Sequence, residues 1–292
     1  MNRKLERRAF MGISAAAAVG GLTRMIRTEE APPAKKSPWP FYAFDNGLGG
    51  VPALEDKCKL LKDLGYDGIE YHLAPGEMPK MLEQLDRYGL KMFGIYTTPS
   101  LDDPIPVGWG DWIKTLKGRE TRIEMGIQSK SLKPSDPAGD EKGLALVKAI
   151  SDFCADTGPV VSIYPHTGFW TQTTDDGVRL AKLAGRKNFG TNFNLVHWQW
   201  VKQSRPVETV LHDALPHLFL VTLNGLKGPK NSQQQIRPLD ESDYDLKEFL
   251  ALVKKTGYTG PVGLQCWSVK EPPAEHLKRS MDAWRKLVAG LE

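Results

Sequence analysis

The chain has 292 residues, 40% of them hydrophobic and 25% charged, a balance that excludes a disordered polypeptide and leaves one large domain or two small ones. Its formal charge of +4 overstates how basic the body is, because residues 1–36 carry eight Lys/Arg against three Glu and leave the rest at −1. A body so near neutrality has no means of gathering nucleic-acid phosphates, so no nucleic-acid partner is expected.

The chain begins with a basic stretch, MNRKLERRAF, followed by the apolar run Phe10–Leu22. A positive segment ahead of a short apolar one predicts an export signal, and the run is too short to span a bilayer as a mature helix. Arg7-Arg8 followed by Ala9-Phe10-Met11 resembles a twin-arginine signal, and Ala31–Lys36 reads as a Pro-rich linker. Residues 1–36 are therefore set apart from the fold, and the protein is expected to be exported to the periplasm or beyond. Membrane contact is expected only through this segment, if it stays uncleaved.

From Trp39 onward short apolar runs alternate with amphipathic segments, which predicts parallel strands joined by crossover helices. Strands are expected at Pro40–Phe44, Gly68–Tyr71, Lys91–Tyr96, Arg122–Ile127, Val160–Tyr164, Phe189–Asn194, Leu218–Asn224 and Val262–Cys266. Helices are expected at Leu54–Leu64, Met78–Tyr88, Gly110–Leu116, Glu141–Asp156, Asp175–Leu183, Pro206–Ala214, Leu246–Thr256 and Ala274–Ala289. Gly65 and Gly257 suit the left-handed position that ends a helix. Eight such units in about 250 residues give a single-domain (β/α)₈ barrel over 37–292. A doubly wound open sheet is the alternative, but no GxGxxG turn is present to start one. Cys58, Cys154 and Cys266 are widely spaced and read as buried thiols rather than a disulfide or zinc framework.

A barrel of this kind builds its sites at the C-terminal ends of its strands. The residues there are Asp45 and Asn46, Glu70 and His72, Tyr96, Gln128, Tyr164 and His166, Asn194 and His197, Thr222 and Asn224, and Gln265 and Trp267. Glu70/His72, Tyr164/His166 and Thr222/Asn224 are each two apart, so each pair shares a strand face. Amides and imidazoles ringed by Trp170, Trp198, Trp200 and Trp267 suit a neutral, polyhydroxylated small molecule with an aromatic-stacking face. Trp198 and Trp200 also suit a plain barrel cap, and His212, His217 and His276 fall on helices or connections where surface positions are expected.

Four runs carry a family resemblance. They are Leu64-Gly65-Tyr66-Asp67-Gly68-Ile69-Glu70, Val161-Ser162-Ile163-Tyr164-Pro165-His166, the stretch from Asn188 to His197, and the stretch from Gly257 to Gln265. In this order they resemble the xylose-isomerase-like TIM barrels, the sugar phosphate isomerase/epimerase superfamily, over about residues 40–290. That resemblance implies a sugar or sugar derivative as ligand, an isomerase or epimerase activity, and one divalent metal (Mn, Zn or Mg). The family's ligands, two Glu, an acidic residue and a His, fall on Tyr164, Asn194, Thr222 and Gln265, which lack the carboxylates and imidazole such ions take. The amides also cannot serve as general bases. Glu70 and His197, a histidine the family uses at its substrate, are retained.

The expectation is thus an exported isomerase- or epimerase-like protein, without the usual metal site, with Glu70, His166 and His197 as acid/base groups. His72, Tyr164, Asn194, Asn224, Gln265 and Trp267 would contact the sugar. The competing expectation is a carbohydrate-binding relative of the same fold that has lost catalysis.

Overall fold

The structure, a computed structural model, describes residues 37–291 apart from 73, 106, 202–204, 230–231 and 233–234. The expected signal and linker, residues 1–36, lie outside the described residues.

Eight parallel strands close into a barrel: β1 (Phe41–Phe44), β2 (Gly68–His72), β3 (Lys91–Thr97), β4 (Arg122–Met125), β5 (Val160–Ile163), β6 (Phe189–Asn194), β7 (Leu218–Leu223) and β10 (Val262–Leu264). They neighbour one another in chain order, and β10 closes the ring by pairing with β1 through Phe41↔Val262 and Ala43↔Leu264. Two further strands, β8 (Gly225–Leu226) and β9 (Ile236–Arg237), form a small antiparallel hairpin in the loop after β7. Among the described residues no helix is long and apolar enough to cross a membrane.

The crossover helices are α1 (Leu54–Leu64), α2 (Met78–Tyr88), α3 (Trp109–Lys114), α4 (Asp140–Cys154), α5 (Thr174–Ala184), α7 (Val207–Ala214), α8 (Leu246–Lys255) and α9 (Pro273–Ala289). The sequence pattern had not indicated α6 (Leu195–Trp200), which starts directly from β6. Its start is set by Asn194, whose side-chain oxygen accepts the His197 backbone N–H at 3.1 Å. Several expected strands stop one or two residues early, at Ile163, Leu223 and Leu264, because the chain must leave the ladder there to turn outward. Gly65 ends α1 at φ 90°, as its sequence context required, and its N–H caps Leu61 and Lys62 carbonyls.

The apolar faces of the helices pack on the outside of the barrel. Trp284 of α9 stacks on Phe41 of β1 with ring centroids 4.1 Å apart and 7° between planes. Inside the barrel a second, smaller cluster is formed by Tyr42, Phe44, Phe93, Tyr164 and Leu220. Cys58, Cys154 and Cys266 are buried free thiols, as expected, and burial pushes Cys58 up to about 11 and Cys154 to about 12. His276 corrects an expectation: it is buried, with Nε2 bonded to the Gly47 carbonyl at 3.0 Å, because α9 turns that face onto the loop after β1.

Candidate active site

The strands' C-terminal ends surround a cavity of about 450 Å³, a volume suited to a monosaccharide-sized ligand. Its walls come from Phe44, Asp45 and Asn46 after β1, Glu70 and His72 of β2, Tyr96 of β3, and Tyr164 and His166 after β5. His197 and Trp200 of α6, Ile236 of β9, and Gln265 and Trp267 after β10 complete it. The strand face shared by Glu70 and His72 thus does open on the site, as does the face of Tyr164 and His166. Trp267 keeps 41% of its surface exposed, so its indole offers a stacking plane at the mouth.

Two imidazole systems lie on this cavity, and their hydrogen bonds assign their protons. On the β2 side, His72 Nδ1 meets Asp45 Oδ2 at 2.6 Å, and Asp45 Oδ1 accepts from Lys57 Nζ at 2.7 Å. A carboxylate can only accept, so Nδ1 carries the hydrogen, and in the neutral ring Nε2 keeps its lone pair. On the β5–β6 side, His166 and His197 lie 4.1 Å apart between ring centroids, tilted by 42°. His166 Nδ1 donates to the Thr167 carbonyl at 3.0 Å, which leaves its Nε2 as an acceptor. His197 Nδ1 accepts the Thr167 backbone N–H at 3.3 Å, which puts the hydrogen of the neutral ring on Nε2. Thr167 therefore makes one ring of the pair a base and the other a donor. Burial holds His166 below the usual imidazole range, and burial together with neighbouring His166 holds His197 well below it. Both rings are neutral at pH 7.

Beneath them a chain of side chains satisfies itself. Tyr164 Oη accepts from Asn194 Nδ2 at 2.7 Å and from Gln265 Nε2 at 3.2 Å. Gln265 Oε1 accepts from Asn46 Nδ2 at 2.6 Å and from the Trp267 N–H at 2.9 Å. Glu70 is almost fully buried yet lines the cavity, and its carboxyl is raised well above the usual carboxylate range by burial, then by Glu124 and Asp45. Among the described residues no three His, Cys, Asp or Glu side chains are grouped to hold a metal ion.

The structure brings together Glu70, His72, Tyr164, His166, His197, Gln265 and Trp267 from the residues singled out in sequence. It does not place Asn194 or Asn224 on the cavity wall. Asn194 is spent on Tyr164 and on the start of α6, and Asn224 Nδ2 on the Gly225 carbonyl at 2.7 Å, the turn into the hairpin. Trp170 also leaves the expected aromatic ring. Its indole is buried, donates to the Asp136 carbonyl at 2.8 Å, and fills a slot opened by Gly139 and Gly143, where a Cβ would approach within 2.6 and 2.4 Å. Sequence reasoning missed Thr167, Lys57, Ile236 and the interior Glu124. Of these only Glu124 left a signal, as a carboxylate in mid-strand, between Ile123 and Met125.

A closed parallel eight-stranded barrel, ringed by helices and open to a cavity of imidazoles, carboxyls and aromatic rings at its strands' C-terminal ends, defines a (β/α)₈ barrel protein with its cavity in the usual place. The chain belongs to the xylose isomerase-like TIM barrel family, whose model matches residues 58–287. Its fold is that of the sugar isomerases and epimerases. It is similar to a xylose isomerase-like TIM barrel protein from Mycobacterium smegmatis in complex with magnesium, at 16% identity and a TM-score of 0.63, over 87% of this chain and 98% of that one. It is similar to the apo form of 3-keto-D-glucoside 4-epimerase from E. coli, at 17% identity and a TM-score of 0.67, over 85% and 99% of the two chains. An L-ribulose 3-epimerase matches at 12% identity and a TM-score of 0.68, over 85% and 94%. Comparison with curated protein sequences gives no match.

Proposed function

We propose that the protein moves protons at a carbon next to the carbonyl of a sugar or sugar-derived ketone, as an isomerase or epimerase that uses imidazoles in place of a metal. The observation that carries this reading is the pair of imidazole systems on one cavity with their tautomers set by Asp45 and Thr167. A neutral imidazole lone pair, His166 Nε2 or His72 Nε2, is a competent base for such a carbon acid. A neutral imidazole N–H, His197 Nε2, can donate to the carbonyl oxygen as it becomes an enolate. His166 Nε2 takes the proton and becomes an imidazolium. A solvent-derived proton relayed through His72 is delivered to carbon from another side of the cavity, and His166 then releases its proton to solvent. The carbon is inverted, or the carbonyl is shifted when the hydroxyl proton also passes between the two oxygens, without net gain or loss of atoms.

The metal that the family implies does not fit the residues here. At two of the four positions where it would be held, the acceptor oxygens of Asn194 and Gln265 already serve backbone and amide donors. Their NH₂ groups both point at the Tyr164 hydroxyl. Amide N–H donors and a phenol whose proton burial holds far above its ordinary range offer a divalent cation no charge. No step of the reaction is therefore routed through one.

The test is turnover of a panel of aldoses, ketoses and 3-keto sugars in the presence of a chelator. Conversion that persists with chelator supports the reading. No turnover across the panel, with or without added Mn²⁺, Zn²⁺ or Co²⁺, overturns it. The self-satisfied Tyr164–Asn194–Gln265–Asn46 network favours one second reading, a carbohydrate-binding relative without catalysis. Sugar-dependent stabilisation with no turnover would select it. We also infer export through the Arg7-Arg8 signal. Replacing both arginines by lysine should retain the chain in the cytoplasm, and unchanged export would refute the assignment.

A further inference from the structure

A second carboxylic side chain is shut inside the barrel behind Glu70. Glu124, in the middle of β4, is fully buried and does not reach the cavity. One of its oxygens, Oε2, accepts from Asn192 Nδ2 at 2.7 Å. The other, Oε1, is buried with no hydrogen-bond partner, and so are the Tyr42 hydroxyl, the Ser162 hydroxyl and Asn192 Oδ1 in the same interior. Ser162 is the register neighbour of Glu124 on β5.

Space for this carboxyl is made by Gly94 of β3, which is in register with Glu70. A Cβ at Gly94 would lie 1.7 Å from Glu124 Oε1 and 3.1 Å from Glu70 Cγ, so the two acidic side chains converge on the gap that this glycine leaves. Neither has an ion-pair partner among the described residues. The titratable and charged groups facing the pair are Tyr42 of β1, Asp45 at its end, Tyr96 of β3, Arg122 of β4, Tyr164 of β5, and Tyr258 just before β10. Of these only Arg122 is cationic, and its hydrogen bond goes to the Glu120 carbonyl. A buried carboxylate with one orphaned oxygen and a second carboxylate beside it is costly, and a proton turns the orphan into a donor for the unpaired acceptors around it.

We propose that Glu124 is a positioning residue for Glu70: the two carboxyl groups converge on the Gly94 gap and disfavour ionisation side by side, and the pair presents Glu70 to the cavity as a neutral acid at physiological pH. The directions of both carboxyls agree, Glu70 raised well above its ordinary range and Glu124 to about 8 by burial. A neutral Glu70 beside the two imidazole systems is a hydrogen donor to a substrate oxygen rather than a base. This role rests on the proton-transfer reading above, but the protonation itself does not.

The experiment is infrared titration of the protonated-carboxyl C=O band in the substrate-free protein, in wild type, Glu124→Gln and Glu70→Gln. Wild type should show a protonated-carboxyl band at pH 7 that both substitutions diminish. In Glu124→Gln the remaining Glu70 band should titrate at least tenfold more readily in proton concentration, since a repulsive neighbour is gone. In Glu70→Gln the Glu124 band should persist at pH 7 and titrate near pH 8, since burial rather than Glu70 raises it, which keeps the test open if one variant does not fold. Absence of the band at pH 7 in wild type or in folded Glu70→Gln, or an unshifted Glu70 midpoint in folded Glu124→Gln, overturns the proposal. Because no sugar is used, a shifted band without turnover would sink the functional reading and leave the carboxyl pair standing.

Discussion

Replacing Glu124 by Gln should flatten the dependence of stability on pH, and the direction follows from where its proton is held. In the folded barrel the carboxyl is raised from 4.5 to about 8, chiefly by burial, with Arg122 and the Asn192 hydrogen bond opposing. Between those two pH values the folded chain keeps a proton that the unfolded chain has released. Stability contributed by this group is therefore complete below about pH 4.5, falls as pH rises through the window, and levels off above about 8. At about 1.4 kcal/mol for each tenfold change in proton affinity, the ceiling is about 5 kcal/mol, reduced by whatever local relaxation and water entry occur. Glutamine keeps the oxygen that accepts from Asn192 Nδ2 and supplies N–H donors where the protonated acid has its hydroxyl. The variant should match wild type near pH 4.5 and exceed it by several kcal/mol near pH 9, a large share of the roughly 5–15 kcal/mol typical of a folded domain. Urea unfolding at a series of pH values reads this directly. Parallel stability curves for the two proteins would refute the assignment of a raised Glu124.

Three further outcomes follow from the same geometry. Gly94→Ala should lose about 2 kcal/mol or more in thermal or urea unfolding, because its Cβ meets Glu124 Oε1, and should lose less in a Glu124→Ala background; equal losses would place the clash elsewhere. Asp176→Ala should cost about 3 kcal/mol by urea unfolding. That buried carboxylate accepts from Ser135 Oγ at 2.7 Å, Thr173 N at 2.9 Å, Gln172 N at 3.1 Å and Arg179 Nη1 at 2.6 Å, bonds that would all be lost, although Arg179 keeps Asp140 at 3.1 Å. Asp45→Asn should slow proton transfer by about 100-fold or more while leaving the fold intact, since an amide can donate to His72 Nδ1 and so favour the wrong tautomer. Equal rates in steady-state assays of the two proteins would remove His72 from the reaction.

The barrel was legible in the sequence because its strands are buried on both faces and its helices on one, so period and length separate them. The limits of α1, α2 and β6 coincide with the sequence expectation for that reason. The short helix α6 was hidden, since Leu195-Val196-His197-Trp198 carries no helical period and the start depends on a side-chain bond from Asn194 that only the fold positions. At the site, two-residue spacing located Glu70/His72 and Tyr164/His166 well, because strand geometry alone sets which face they share. It failed for Thr222/Asn224, where the chain turns into the hairpin and Asn224 is spent on the Gly225 carbonyl. Thr167 was out of reach because its influence on His166 and His197 runs largely through its main chain, which residue identity does not encode. Glu124 lies in mid-strand, away from the strand ends where such barrels build their sites, although an acid flanked by Ile123 and Met125 on a buried strand is unusual.

The most direct test of proton transfer by the cavity's imidazoles is deuterium incorporation from D₂O into a ketose or 3-keto sugar, at the carbon beside the carbonyl, with chelator present. The protein should wash deuterium into that carbon, and His166→Gln should abolish the exchange without changing the fold by circular dichroism. Product formed with no solvent deuterium, or exchange that survives His166→Gln and vanishes on removal of metal, would contradict it.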